Sequence, residues 1–236
     1  MTRSATAAKT MANMNTRLSV RRRTRAFTLM ELFAVILVVM VLLIFFLPDF
    51  GRHDVAISNC SSNLKALGAA FRSWANDHDG KLPMQLSTND GGSMELAANG
   101  NVFLHLRILG KELQTPKVLV CPADIDRQVI TNFTTLDNSH VSYFVGVDAA
   151  VTNWNSASTN GGMFLAGDRN LALNGHSVKS ELLVVTAGNA LSWAKKIHNR
   201  HGNILFEDGR VDFMNTAELK RALQQTGTAT NRLAIP

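Results

Sequence analysis

From Phe27 to Leu47 the chain reads FTLMELFAVILVVMVLLIFFL, with only Thr28 and Glu31 breaking the apolar pattern. A run of about 21 such residues reaches roughly 31 Å as a helix. That is the thickness of a hydrocarbon core, so the pattern predicts a membrane-spanning helix. Glu31 lies a turn inside it. A carboxylate is costly in lipid, which marks this position as a functional one. Beyond Pro48 the period changes. Ile57, Cys60, Leu64, Leu67, Phe71 and Trp74 recur at three- and four-residue steps, with Asn63, Lys65, Arg72 and Ser73 between them, as on an amphipathic helix. Asp77, Asp79 and Gly80 end that helix, and Pro83 forbids its continuation. Asp77-x-Asp79-Gly80 also has the look of a calcium-loop opening, but the later acidic ligands are absent.

The remainder alternates short apolar runs with Asn, Gly and Ser. Phe103, Leu106, Leu109 and Leu113 predict a short helix. Lys117–Cys121, Val141–Val147, Met163–Ala166 and Leu182–Thr186 predict strands. Residues Asn203–Phe213 predict a hairpin around Glu207-Asp208-Gly209. Asn215, with Glu218 three residues on, predicts a capped helix over Thr216–Gln225. The expected fold is therefore α+β. A long N-terminal helix, transmembrane in its first half and amphipathic in its second, packs on a C-terminal antiparallel sheet. The expected divisions are a basic leader over 1–26, the spanning helix over 27–47, its amphipathic continuation over 48–80, and a head over 81–236.

Charge changes the picture through its placement. The chain of 236 residues carries a net +6, but Arg3, Lys9, Arg17, Arg21, Arg22, Arg23 and Arg25 precede Phe27 with no acid among them. Removing those seven from 24 basic residues leaves 17 against 18 acidic ones, a net of −1. A nucleic-acid-binding head is not favoured by that balance. Basic residues before the apolar run place its start on the cytoplasmic side, which puts Cys60 and Cys121 on the oxidising side, where disulfides persist. Two buried free thiols are the alternative. Two cysteines without a clustered histidine argue against zinc.

Arg25-Ala26 followed by Phe27-Thr28-Leu29-Met30-Glu31-Leu32 resembles the prepilin signal of type IV pilins and type II secretion pseudopilins. The resemblance implies cleavage by prepilin peptidase between Ala26 and Phe27, methylation of the new terminus, an assembly role for Glu31, and a helix kink at Pro48. The family usually has Gly where this chain has Ala26. Two other readings of the segment are a secretory signal peptide, which its length opposes, and a plain signal anchor, which leaves Glu31 unexplained. The resemblance extends through Cys60 with Asn63-Leu64-Lys65, Gly80-Lys81-Leu82-Pro83, and Val120-Cys121-Pro122-Ala123-Asp124. It reaches His198 followed after nine residues by Asp208-Gly209, a pattern of a planctomycete and verrucomicrobial branch. It implies a pseudopilin-like structural subunit rather than an enzyme. The implied location is single-pass in the inner membrane with a periplasmic head, then in a pseudopilus. Prepilin peptidase, other pseudopilin subunits and an inner-membrane secretion platform are the implied partners, without nucleic acid. A minor or competence pilin with a DNA- or ligand-binding head is the first rival, and a binding or enzymatic head on a pilin-type anchor the second.

Within the head, His198 and His201 read as loop residues, since His-x-x-His presents two ligands together only on a helix. Asp168 and Arg169 follow an apolar strand and suggest a buried ion pair that positions loops. Asp168, Glu207, Asp208 and Asp212 could supply oxygen ligands to calcium, which the resemblance also implies for major pseudopilin heads. No phosphate loop, nucleophile elbow or paired catalytic carboxylate motif is present.

Overall fold

The computed structural model describes residues 28–46, 52–150 and 162–236. The chain divides into two units, Met1–Leu47 and Pro48–Pro236. The leader over 1–26, the Ala26–Phe27 bond and Pro48 lie outside the described residues.

In the first unit, helix α1 runs Leu29–Phe46. It starts where Thr28 and Glu31 form a reciprocal cap. Glu31 Oε2 accepts from Thr28 N at 3.0 Å and Thr28 Oγ1 at 3.1 Å, while Thr28 Oγ1 accepts from Glu31 N at 3.3 Å. The expected transmembrane helix, and with it the single-pass inner-membrane location, is not met. Among the described residues no helix is long and apolar enough to cross a membrane. The 18 residues of α1 reach about 27 Å, and its first turn contains Glu31. The apolar stretch beyond Glu31 is correspondingly shorter than the ~30 Å of a hydrocarbon core.

The second unit opens with helix α2, Arg52–Asn76, whose face of Cys60, Leu64, Leu67, Phe71 and Trp74 is buried. Lys65, Arg72 and Ser73 lie exposed on the other side. Gly80, at φ 78°, donates its N–H to Ala75 O at 2.8 Å, so the Asp77–Gly80 segment is a helix terminus. Helices α3, Val102–Ile108, and α4, Gly110–Leu113, follow. The strand expected over Lys117–Cys121 is instead a 3-10 turn at Pro116–Leu119. Pro116 suits a first helical position, and the Thr115 side chain caps the turn by accepting from Lys117 N.

Nine strands follow among the described residues, in order of sequence. They are β1 Tyr143–Gly146, β2 Phe164–Asp168, β3 Leu171–Leu173, β4 His176–Ser177, β5 Glu181–Val185, β6 Leu191–Trp193, β7 His201–Phe206, β8 Val211–Asn215 and β9 Asn231–Ile235. A six-stranded antiparallel sheet has the order β5-β9-β1-β2-β7-β8, and a small sheet has the order β4-β3-β6. The head is thus α+β with a sheet, as the pattern predicts. Alternation along the strands divides the core in two. Tyr143, Val145, Leu165, Leu205 and Ala234 pack with the buried face of α2. Phe144, Phe164, Ile204, Phe206 and Leu233 pack with Trp193 and with Leu219 and Leu223 of helix α5, Thr216–Gln224. Both faces of the sheet are covered, which is why its central strands are buried throughout. The cap of α5 forms as expected. Asn215 Oδ1 accepts from Ala217 N and Glu218 N, and Glu218 Oε2 accepts from Asn215 N at 2.8 Å.

Candidate functional site

Four chain segments meet beneath α2. Cys60, on the buried face of α2, is joined by a disulfide to Cys121, whose Cα lies 5.1 Å away and 61 residues later. Cys121 reaches it because the Pro116–Leu119 turn delivers the chain to the start of β1, where Ser142 N donates to Leu119 O at 2.8 Å. His198 comes from the loop between β6 and β7. Its Nε2 stands 3.4 Å from Cys121 Sγ and 3.4 Å from Asp168 Oδ2. Asp168 ends β2. Cys60, Cys121, Asp168 and His198 are all buried, with donor atoms within 4.8 Å of one another.

The carboxyl of Asp168 is held by Asn203, whose N and Nδ2 donate to Oδ2 at 2.7 and 2.8 Å. Its Oδ1 has no hydrogen-bond partner among the described residues. Burial pushes the Asp168 carboxyl up to about 7, against the lowering effect of the two Asn203 donors. Tyr143 lies nearby, and burial, then the Asp168 charge, raise its phenol above the ordinary range. Its hydroxyl accepts from Asn63 Nδ2 at 3.3 Å, and Asn63 Nδ2 also reaches Val120 O at 3.1 Å. The His198 loop is held in an uncommon conformation. Asn199 and Arg200 have φ of 48° and 66°, a region sparsely used by side chains larger than glycine. Asn170 Nδ2 bridges the ends of the loop, donating to Ala194 O at 3.3 Å and His201 O at 2.9 Å.

The remaining candidates are dispersed. Asp168 and Arg169 do not pair with each other, because successive residues of an extended chain project to opposite sides. Arg169 turns to Asp124, at 2.6 and 2.7 Å through Nε and Nη2, and to Asp126 at 3.1 Å. Asp126 also pairs with Lys196. His198 and Asp208-Gly209 flank β7 at opposite ends. Gly209, at φ 86°, closes the β7–β8 turn, its N–H donating to Phe206 O at 3.0 Å. Asp208 and Asp212 both pair with Arg210. The four acids considered for calcium are therefore split. Asp168 is level with Asn203, four strand residues or roughly 13 Å from Glu207. His201 stacks on Phe213, with ring centroids 5.3 Å apart, rather than joining His198 at the cluster.

Sequence reasoning missed two features. The Thr28-x-x-Glu31 spacing ahead of an apolar run is a capping-box signature and could have been read. The convergence of Cys121, Asp168 and His198 has no local signal.

The chain is similar to the ComG operon protein 3 homologue of Bacillus licheniformis. The two are 30% identical over 70 residues, which cover 29% of this chain and 72% of the relative. No family model matches the chain. No solved structure matches it either.

Proposed function

The chain belongs to the pilin-like family of the ComG operon protein 3 homologue, and on that premise we propose that it is a structural filament subunit whose work is mechanical rather than catalytic. It packs through α1 against other pilin-like subunits of a type II secretion-like or type IV pilus-like filament. Prepilin peptidase cuts it between Ala26 and Phe27. The observation that carries this reading is the surface of α1. Every large apolar side chain from Leu29 to Leu43 is exposed, from 44% at Val41 to 83% at Leu29. A helix apolar on all sides needs cover on all sides, and a bundle of like helices supplies it. Glu31, which caps its own helix through Thr28, meets in such a bundle the Phe27 amino group of a neighbouring subunit.

The test is co-expression of the full chain with its pilin-like partners, read by crosslinking and pelleting, with intact mass reporting the processed terminus. Val38→Asp should abolish co-assembly while the thermal transition of the head is unchanged. Normal co-assembly of V38D would reject the reading, as would a mature chain that does not begin at Phe27.

A further inference from the structure

The buried cluster beneath α2 has the composition of a metal centre whenever its two sulfurs are not bonded to each other. Cys60, Cys121, His198 and Asp168 supply two thiolates, an imidazole nitrogen and a carboxylate oxygen, all within 4.8 Å of one another. We propose that the reduced chain binds one zinc-class ion through these four side chains, and that oxidation to the Cys60–Cys121 disulfide expels it.

Distances support tetrahedral coordination. With Zn–N of ~2.0–2.1 Å, Zn–O of ~2.0–2.2 Å and Zn–S of ~2.3 Å, a tetrahedron has an N–O edge of about 3.4 Å and an N–S edge of about 3.6 Å. The observed separations are 3.4 Å from His198 Nε2 to Asp168 Oδ2 and 3.4 Å from the same nitrogen to Cys121 Sγ. Once the bond between them is broken, the sulfurs need to part to about 3.8 Å. Ligand chemistry also favours this class of ion, since paired thiolates with imidazole select zinc over the oxygen-seeking magnesium and calcium. The site has support of the kind metal ligands require. Asn203 orients the carboxylate through Oδ2, and Asn170 braces the His198 loop across its base. Oδ1 of Asp168, buried without a hydrogen bond among the described residues, is a further acceptor with capacity to spare.

The chemistry balances as two separate steps. A dithiol reductant delivers two electrons and two protons to the disulfide, giving two protein thiols and an oxidised reductant. A chain not yet oxidised starts at this stage. Metal binding then releases the two thiol protons as the thiolates coordinate. Oxidation of the coordinated thiolates by a disulfide-class oxidant removes two electrons, forms the Cys60–Cys121 bond and frees the ion. In the bonded state neither sulfur is a thiolate, so the two cross-links exclude each other. The disulfide fastens α2 to the segment after the Pro116–Leu119 turn. The metal ties that segment and α2 to Asp168 of β2 as well, so α2 keeps a staple on either side of the redox change.

The experiment is a Co2+ titration of the full chain, kept reduced by a phosphine under anaerobic conditions and compared with the oxidised chain. One equivalent of Co2+ should bind to the reduced chain, producing near-ultraviolet thiolate bands and visible bands of tetrahedral cobalt that Zn2+ then bleaches. The oxidised chain should show neither. His198→Gln and Asp168→Asn should each weaken binding by roughly tenfold or more and alter the visible bands, with circular dichroism confirming their fold. Native mass spectrometry of the wild type, refolded reduced with Zn2+, should find one ion per chain and none after oxidation. This reading needs no variant to fold. Absence of stoichiometric metal on the reduced wild type overturns the proposal. So does cobalt binding that is indifferent to both His198 and Asp168, because the thiols alone would then account for it.

Discussion

Cys121 Sγ and His198 Nε2 lie 3.4 Å apart although 77 residues separate them in the chain. The contact joins the segment after the Pro116–Leu119 turn to the loop entering β7, and the disulfide carries it on to α2. His198 is therefore a core residue at the base of β7, while Asp208-Gly209 is the turn at its other end. The nine-residue spacing between them measures one strand with its flanks. It does not bring the two into a common site.

Removing the bridge should expose how much it constrains the unfolded chain. Closing a loop of 61 residues contributes about 4 kcal/mol on the chain-entropy account. In chelator-treated protein, the Cys60→Ala/Cys121→Ala pair should lower the guanidinium midpoint by a corresponding amount, with a steeper slope because the unlinked chain unfolds to a more open ensemble. A change below about 1 kcal/mol would mean that residual structure already confines the unfolded chain without the bridge.

Arg169 presents a second test. Its guanidinium meets the buried Asp124 carboxylate with two hydrogen bonds, and the Asp124 side chain is only 1% exposed. Arg169→Ala leaves that charge without its partner and should cost on the order of 3–5 kcal/mol. Adding Asp124→Asn should recover part of the loss, because the stranded charge is then gone. Additive losses in a double-mutant cycle would show that the two side chains are not energetically coupled.

Local pattern made much of this fold legible. The buried stripe of α2, the hairpin of β7 and β8 and the Asn215–Glu218 cap each follow from spacing over a few residues. Lys117–Cys121 misled because its β-branched residues outweighed the Thr115-Pro116 pair just before them, a cap and first-turn proline that start a 3-10 turn instead. Strand β9 was hidden for a different reason. Asn231–Ile235 is a strand because β5 and β1 flank it, and that pairing is a property of the assembled sheet. The cluster was equally hidden. Cys60, Cys121, Asp168 and His198 come from a helix, a turn, a strand end and a loop, so no single motif contains them. At Glu31 the hydroxyl of Thr28, three residues earlier, gives the carboxylate a local partner, a pairing that the Thr-x-x-Glu spacing carries.

His105 makes stability fall in acid. Its ring is buried, with Nδ1 2.8 Å from Ser93 Oγ, and burial draws its pKa down from 6.5 to about 4. In the unfolded chain the ring takes up a proton near the ordinary value, whereas in the folded chain it stays neutral until about 4. The unfolded state thus binds more protons between those values. Stability is full above them, declines as pH falls through the interval, and levels off below it. The loss should reach roughly 3 kcal/mol. Denaturation curves for the wild type and His105→Gln between pH 7 and pH 4 should converge as the pH falls. Parallel curves would show that His105 does not titrate differently on folding.

Two glycines should respond very differently to the same methyl group. At Gly146, near the end of β1, a Cβ would fall well inside contact distance of the Phe164 carbonyl oxygen. That oxygen is backbone of β2, and β1 is held between β2 and β9, so neither side can retreat without opening the sheet. At Gly68 of α2, the nearest atom to a Cβ is Leu205 Cδ1 at 2.9 Å, the far end of a flexible side chain. There the strain of moving Leu205 is set against a gain of about 1 kcal/mol from replacing glycine inside a helix. Gly68→Ala should therefore remain within about 1 kcal/mol of the wild type. Gly146→Ala should lose roughly 3 kcal/mol or more, or fail to fold. Thermal melts of the two variants decide the matter. Equal shifts would mean that the central sheet yields as readily as the Leu205 side chain, contrary to the close packing of β1 against β2.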